Sequence, residues 1–177
     1  MRRHFALISV CALSAAPAAA LDLPQRKAGL WELKMEFGSR TLPAQVMRQC
    51  TDATTDRLMN LNFGGSNEQA CSKQDVHRDG GTITVDSVCT FGAATITSHA
   101  VVTGSFDSAY RVEVTQTRQG GPPMPGVAPG APTHMTIAAK WLGACAKGQR
   151  PGDVVMANGM TMNVLDLQRM RPAPAQK

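Results

Sequence analysis

Aromatic side chains make up only 5% of this 177-residue chain, and its basic residues never gather into a block. Nucleic-acid surfaces normally need a basic stripe, often interleaved with stacking aromatics, so both shortages argue against one. Catalytic motifs are missing as well. None of His77, His99 and His134 sits in His-Glu-x-x-His, and no serine lies in Gly-x-Ser-x-Gly. There is no Gly-x-x-x-x-Gly-Lys phosphate loop and no dinucleotide fingerprint. Glu32 and Glu36 fall on the polar side of an alternating stretch, where a carboxylate is by default solvated surface. The expectation is a protein that is not an enzyme and holds no cofactor. A carboxylate or histidine site assembled from distant strands is the residual alternative, because a pocket can gather groups that sequence keeps apart.

After residue 20 there is also no long apolar run, so no transmembrane segment is expected beyond that point. The first twenty residues differ. Arg2, Arg3 and His4 form a basic head, Phe5 to Ala16 an apolar run, and Ala18-Ala19-Ala20 a small-residue cleavage site. This is the layout of a cleavable signal peptide at 1–20, with an apolar run too short for a permanent anchor. Cys11 raises a lipoprotein reading, but Val10 is bulky for that processing and cutting there leaves a stub of the apolar run. The expected location is the periplasm. Removing Arg2 and Arg3 from the eighteen Lys and Arg leaves sixteen against thirteen Asp and Glu, a net +3. The remaining 157 residues suit one domain, expected over 21–170, burying roughly two-thirds of its surface.

Four cysteines stay in the exported part: Cys50, Cys71, Cys89 and Cys145. With no Cys-x-x-Cys and no close histidine partner, zinc is disfavoured, and an even count in an oxidising compartment reads as two disulfides. Cys71 and Cys89 are symmetric about Gly80, inside the turn signal Asp79-Gly80-Gly81. A three-residue hairpin loop at 79–81 sets Arg78 opposite Thr82 and Cys71 opposite Cys89, within reach of a disulfide. Cys50 is then left for Cys145. The same register sets Lys73 and Asp75 opposite Ser87 and Val85, mixing polar and apolar on one face unless a bulge intervenes.

Four stretches alternate strictly: Trp31-Leu33-Met35-Phe37, Ile83-Val85-Cys89-Phe91, Tyr110-Val112-Val114 and Met135-Ile137-Ala139-Trp141. Period-two patterns put one face on a core and the other in water. Residues 93–104 are rich in Thr, Ile and Val, and 41–50 is a weaker strand candidate. Gly38-Ser39, Asp79-Gly80-Gly81 and Asp107-Ser108 supply turns between these runs. The fold class is therefore all-β: an antiparallel meander forming a small barrel or curved sheet, with at most one short helix. That helix belongs at 51–61, with Thr51 as its cap. Residues 119–132 hold five prolines and four glycines and form an exposed loop between strands. Asn158-Gly159 between Val154-Val155-Met156 and Met160-Thr161-Met162 signals a hairpin, against the alternative of a loosely packed tail. Residues 171–177 look disordered.

Ala28-Gly29-Leu30-Trp31-Glu32 is similar to the Pro-Gly-Leu-Trp-Glu opening of an exported proteobacterial family classed only as a domain of unknown function, DUF3617. Cys50-Thr51-Asp52 resembles its first cysteine and turn, Cys71 and Cys89 its central hairpin, and Trp141-Leu142-Gly143-Ala144-Cys145 its closing strand. The resemblance covers residues 28 to 146 in order. It departs at Ala28, where proline is common, and in the Pro/Gly insertion near 120. It implies an envelope location and this fold, and transfers no catalytic residue.

Nine methionines remain after processing. Thioethers bind Cu(I), so Met160, Met162 and His134 make a copper-binding alternative. Against it, Met35 and Met135 read as core and the others as adaptable packing. The preferred reading is a binding or structural module for an apolar small molecule or an envelope protein. Its apolar face comprises Trp31, Leu33, Val85, Val112, Ile137 and Trp141, which serve equally well as plain core.

Overall fold

A computed structural model describes residues 23–38, 43–63 and 71–170. The expected leader at 1–20, with Cys11, and the expected disordered tail at 171–177 lie outside the described residues. The strands are β1 (Gly29–Phe37), β2 (Gln45–Thr51), β3 (Cys71–Asp79), β4 (Thr82–Phe91), β5 (Ala94–Ser105), β6 (Ala109–Gly120), β7 (Thr133–Gly143), β8 (Asp153–Val155) and β9 (Thr161–Asn163). Among the described residues two helices join them, α1 (Ala53–Phe63) and α2 (Val164–Met170). The nine strands form one sheet in the order β3-β4-β5-β6-β7-β1-β2-β8-β9, with every pairing antiparallel. The order is open, with β3 and β9 at its edges, so the architecture is the curved sheet rather than the closed barrel. β3 to β7 are a plain meander. The last long strand then pairs with the first, Trp141 opposite Trp31.

Both disulfides form as the spacing predicts, Cys50–Cys145 and Cys71–Cys89. The hairpin between Cys71 and Cys89 differs in its turn. The loop is two residues, Gly80-Gly81, not three: Asp79 pairs with Thr82 and Arg78 with Ile83. Only Gly80 has positive φ, 57°, which suits the first central position of a II′ turn whose twist matches the strands. A register shift between Cys71 and Lys73 then restores Cys71 to its place opposite Cys89. The corrected register sets Gln74 against Ser87 and Val76 against Val85, which removes the mixed face.

Helix α1 starts two residues later than expected, and Asp52 caps it instead of Thr51. Asp52 Oδ1 accepts from the amides of Thr54 (3.1 Å) and Thr55 (2.8 Å), and the Asp52 amide donates back to Thr55 Oγ1 at 3.0 Å. This is a capping box with threonine in the third position, and the Thr55 amide is the main cause holding the Asp52 carboxyl below its usual range. The hairpin at Asn158-Gly159 is present as β8 and β9, not a loose tail: Val154 and Val164 are fully buried. It leads directly into α2, a second short helix where one at most was expected. Asn163 ends β9 and caps α2 by accepting from the Leu165 amide.

The main core gathers Trp31, Leu33, Met47, Met59, Ala139, Val154 and Val164, from β1, β2, α1, β7, β8 and α2. Burying aliphatic side chains of this size contributes about 1.5–3 kcal/mol each. The segment ahead of β1 is tied down by both tryptophans. Trp31 Nε1 donates to Lys27 O (2.8 Å), Trp141 Nε1 donates to Ala28 O (3.1 Å), and the Lys27 ammonium lies 3.8 Å from the Trp141 ring centre.

Candidate functional site

Strand pairing carries each inward residue onto its neighbour, so the inner face reads as a stack of rungs. One rung runs Ile83, Val102, Val112, Ile137, Met35 across β4, β5, β6, β7 and β1. The next runs Val76, Val85, Ala100, Val114, Met135. The third is polar: Gln74, Ser87, Ser98, Gln116. Beyond it stand the Cys71–Cys89 disulfide and Ile96, with Arg118 paired to Ile96. The hydroxyls of Ser87 and Ser98 are hydrogen-bonded at 2.7 Å.

Val102, Val112 and Ile137 of the first rung, Val85, Ala100, Val114 and Met135 of the second and all four polar residues of the third line a cavity of about 440 Å³. Its wall includes Gln74 on β3 and Gln49 on β2, six strand steps apart. A flat sheet would separate those strands by roughly 29 Å at about 4.8 Å per step. Facing a single cavity of this volume requires the sheet to curl around it.

One end is closed by Leu23, Arg26, Met59, Phe106 and Tyr110. Arg26 donates from its backbone amide to Asp56 Oδ2 (3.0 Å) and from Nε to Asp56 Oδ1 (2.5 Å). Its Nη1 donates to Gln49 Oε1 at 2.8 Å. Both charged side chains are almost wholly buried, 3% and 1% exposed. Such a pair survives burial only because each charge meets the other and its remaining donors are met. Tyr110 stacks on Phe106 at 4.7 Å and packs obliquely on Trp31 at 5.6 Å. Burial pushes its phenol above the usual value, with the nearby Arg26 charge partly opposing the shift.

Of the six apolar-face residues read from the sequence, Leu33, Val85, Val112 and Ile137 line the cavity. Trp31 lies within the core, and Trp141 packs half-buried beside it under Lys27. Met35 packs on the core and Met135 lines the cavity. Sequence reasoning missed the closed end. Arg26 and Asp56 each sit in an ordinary polar context, and only the fold brings them together. The polar rung was legible in part, since Ser87 interrupts the alternation Ile83-Val85-Cys89-Phe91.

The outer face is charged and solvated. Glu32 pairs with Arg48 at 3.0 Å and Lys34 with Glu36 at 2.6 Å, and the Lys34 contact lowers the Glu36 carboxyl below its usual range. His77, His99 and His134 are all exposed, with His99 on Asp86 (2.8 Å) and His134 on Thr115 (3.0 Å). Met160 is exposed on the β8–β9 hairpin, while Met162 packs against the core. His134 stands on β7, four strand steps from β9. Among the described residues, no helix is long and apolar enough to cross a membrane.

The model of a family described as a protein of unknown function (DUF3617) matches residues 26–145. The chain belongs to that family. No curated protein and no solved structure matches it. The DUF3617 match opens on Arg26, the buried cation at the closed end, and ends on Cys145, the partner of Cys50. Gly29 in the Gly-Leu-Trp-Glu opening has φ of 131°, and a Cβ there would meet the Gly143 carbonyl and come within 2.6 Å of Trp141 Nε1. The opening and closing motifs of the family are thus one packing unit, joined where β1 meets β7.

Proposed function

We propose that this is an exported, non-enzymatic protein of the periplasm that holds a single-chain apolar molecule along the inner face of its curled sheet. The observation that carries the reading is the one-sided apolar cavity of about 440 Å³, a volume within the range of small-molecule sites. On β6 the lining runs from Tyr110 to Gln116, roughly 20 Å at about 3.4 Å per residue. A bilayer's hydrocarbon core is about 30 Å thick, so one acyl chain spans about 15 Å and fits the run. Export rests on the basic head, apolar run and alanine site of residues 1–20, and agrees with a chain closed by two disulfides.

The test is saturation binding of a dansyl-labelled fatty acyl probe to protein purified from cells expressing the full chain. One probe per chain, with enhanced fluorescence, is expected. Ala100→Phe, which fills the cavity wall, should abolish it while leaving the far-ultraviolet spectrum of the sheet intact. An unchanged affinity in that variant would place the probe elsewhere and sink the reading. Copper binding through Met160 and Met162 is the weaker proposal. Anaerobic Cu(I) titration decides it, and equal affinity in a Met160/Met162 double variant removes it.

A further inference from the structure

We infer that the molecule held in the cavity is an amphiphile whose polar group is uncharged and both donates and accepts hydrogen bonds, and that this group docks on the rung Gln74, Ser87, Ser98, Gln116. The inference rests on the cavity reading and adds to it the chemistry of the ligand's head.

All four side chains line the cavity, and they face one another across β3, β4, β5 and β6. The adjoining inner rung, Val76, Val85, Ala100 and Val114, is wholly apolar. A sheet that needed only a core would have no reason to set four polar residues in register beside an apolar rung, since apolar side chains there would add burial. Neither the Gln74 nor the Gln116 carboxamide makes a hydrogen bond among the described residues. The Ser87–Ser98 pair uses one hydroxyl proton and leaves the other free. The rung therefore offers donors and acceptors together, which matches a hydroxyl, an ester with a free hydroxyl, or an amide.

Charge argues in the same direction. Among the described residues, the only cationic side chain in the lining is Arg26, and its charge is already held by Asp56. A carboxylate entering the cavity would lose its hydration, leave the two carboxamide oxygens without a donor, and meet no free cation. Arg118, one rung further out, does not line the cavity.

The experiment displaces the dansyl acyl probe with ligands of equal chain length: a monoacylglycerol, the fatty acid, the alkyltrimethylammonium and the plain alkane. The monoacylglycerol should displace the probe at a concentration at least about tenfold below each of the others, a difference of about 1.4 kcal/mol. Gln116→Leu and Gln74→Leu should shrink the preference for monoacylglycerol over alkane, and Glu113→Gln on the outer face should leave it intact. A preference for the fatty acid would overturn the inference and move the head group to Arg118. Equal displacement by all four would overturn it while leaving the apolar cavity reading in place. Failure of folded wild-type protein to bind the probe at all would remove both.

Discussion

Arg26 and Asp56, thirty positions apart, meet as a buried ion pair, backed by the Arg26 backbone amide, that fastens the segment before β1 to helix α1 and closes one end of the cavity. Removing one partner strands a nearly buried charge without its counter-ion. Asp56→Ala should therefore cost about 3–5 kcal/mol of stability, where a typical exposed pair such as Lys34–Glu36 contributes almost nothing. Replacing both with apolar residues of similar size, Arg26→Met with Asp56→Leu, should cost clearly less than the sum of the single changes. Urea unfolding of the wild type, Arg26→Met, Asp56→Leu and the double variant measures this, with Asp56→Ala alongside. Additive losses would show that the two charges do not depend on each other.

The two disulfides close loops of very different size, with separations of 95 for Cys50–Cys145 and 18 for Cys71–Cys89. On the chain-entropy account these restrict the unfolded chain by about 4.7 and about 3.2 kcal/mol respectively. Cys50→Ser with Cys145→Ser should accordingly lower stability more than Cys71→Ser with Cys89→Ser. The first bridge also ties β2 to the segment just after β7, across β1, while the second secures only the edge hairpin. Matched thermal unfolding of both double variants gives the comparison, and a larger loss from the hairpin bridge would refute the ranking.

Tyr110 is the only tyrosine in the chain, so ultraviolet titration reads it without interference. Its buried phenol should ionise above pH 10 in the folded protein and near 10 once unfolded in urea. The sign follows from the raised folded value: the neutral, buried phenol stabilises the fold fully below the unfolded pKa. That contribution is lost as pH rises through the folded pKa. Alkaline unfolding should coincide with the phenolate absorbance and should be shallower in Tyr110→Phe. A midpoint at or below 10 in folded protein would mean the ring is wet.

The sheet was readable because its strands alternate, and alternation survives without knowledge of neighbours. Trp31-Leu33-Met35 and Tyr110-Val112-Val114 announce their inner face in any context. Turn lengths were harder. Asp79-Gly80-Gly81 marks a turn, but whether two or three residues form it depends on the bulge near Ser72, which no local signal encodes. The Gly92-Ala93 turn between β4 and β5 gave even less warning, being two small residues in a Thr-rich run. The cap moved from Thr51 to Asp52 because either residue can cap, and Thr51 is committed to the end of β2. The closed end of the cavity was illegible for a different reason. Arg26, Gln49, Asp56 and Tyr110 come from four separate segments, and a buried arginine looks like an exposed one until its partner is known.

Gly29 and Gly143 share the same unusual backbone, with φ of 131° and 125°, but not the same surroundings. A Cβ on Gly143 would meet nothing within 4 Å, whereas one on Gly29 would strike the Gly143 carbonyl and Trp141 Nε1. Alanine at either site pays for a backbone region that side chains avoid, on the order of 1–3 kcal/mol. Only Gly29→Ala must also push β7 away from β1 and disturb the Trp141 hydrogen bond to Ala28. The difference between the two variants in urea unfolding therefore isolates the close approach of the strands from the backbone strain common to both. Gly29→Ala should be the more destabilised by at least about 1 kcal/mol, and its tryptophan emission should shift as Trp141 moves. Equal losses would leave backbone conformation as the whole reason for glycine here, and the packing of the opening motif against the closing one would no longer explain it.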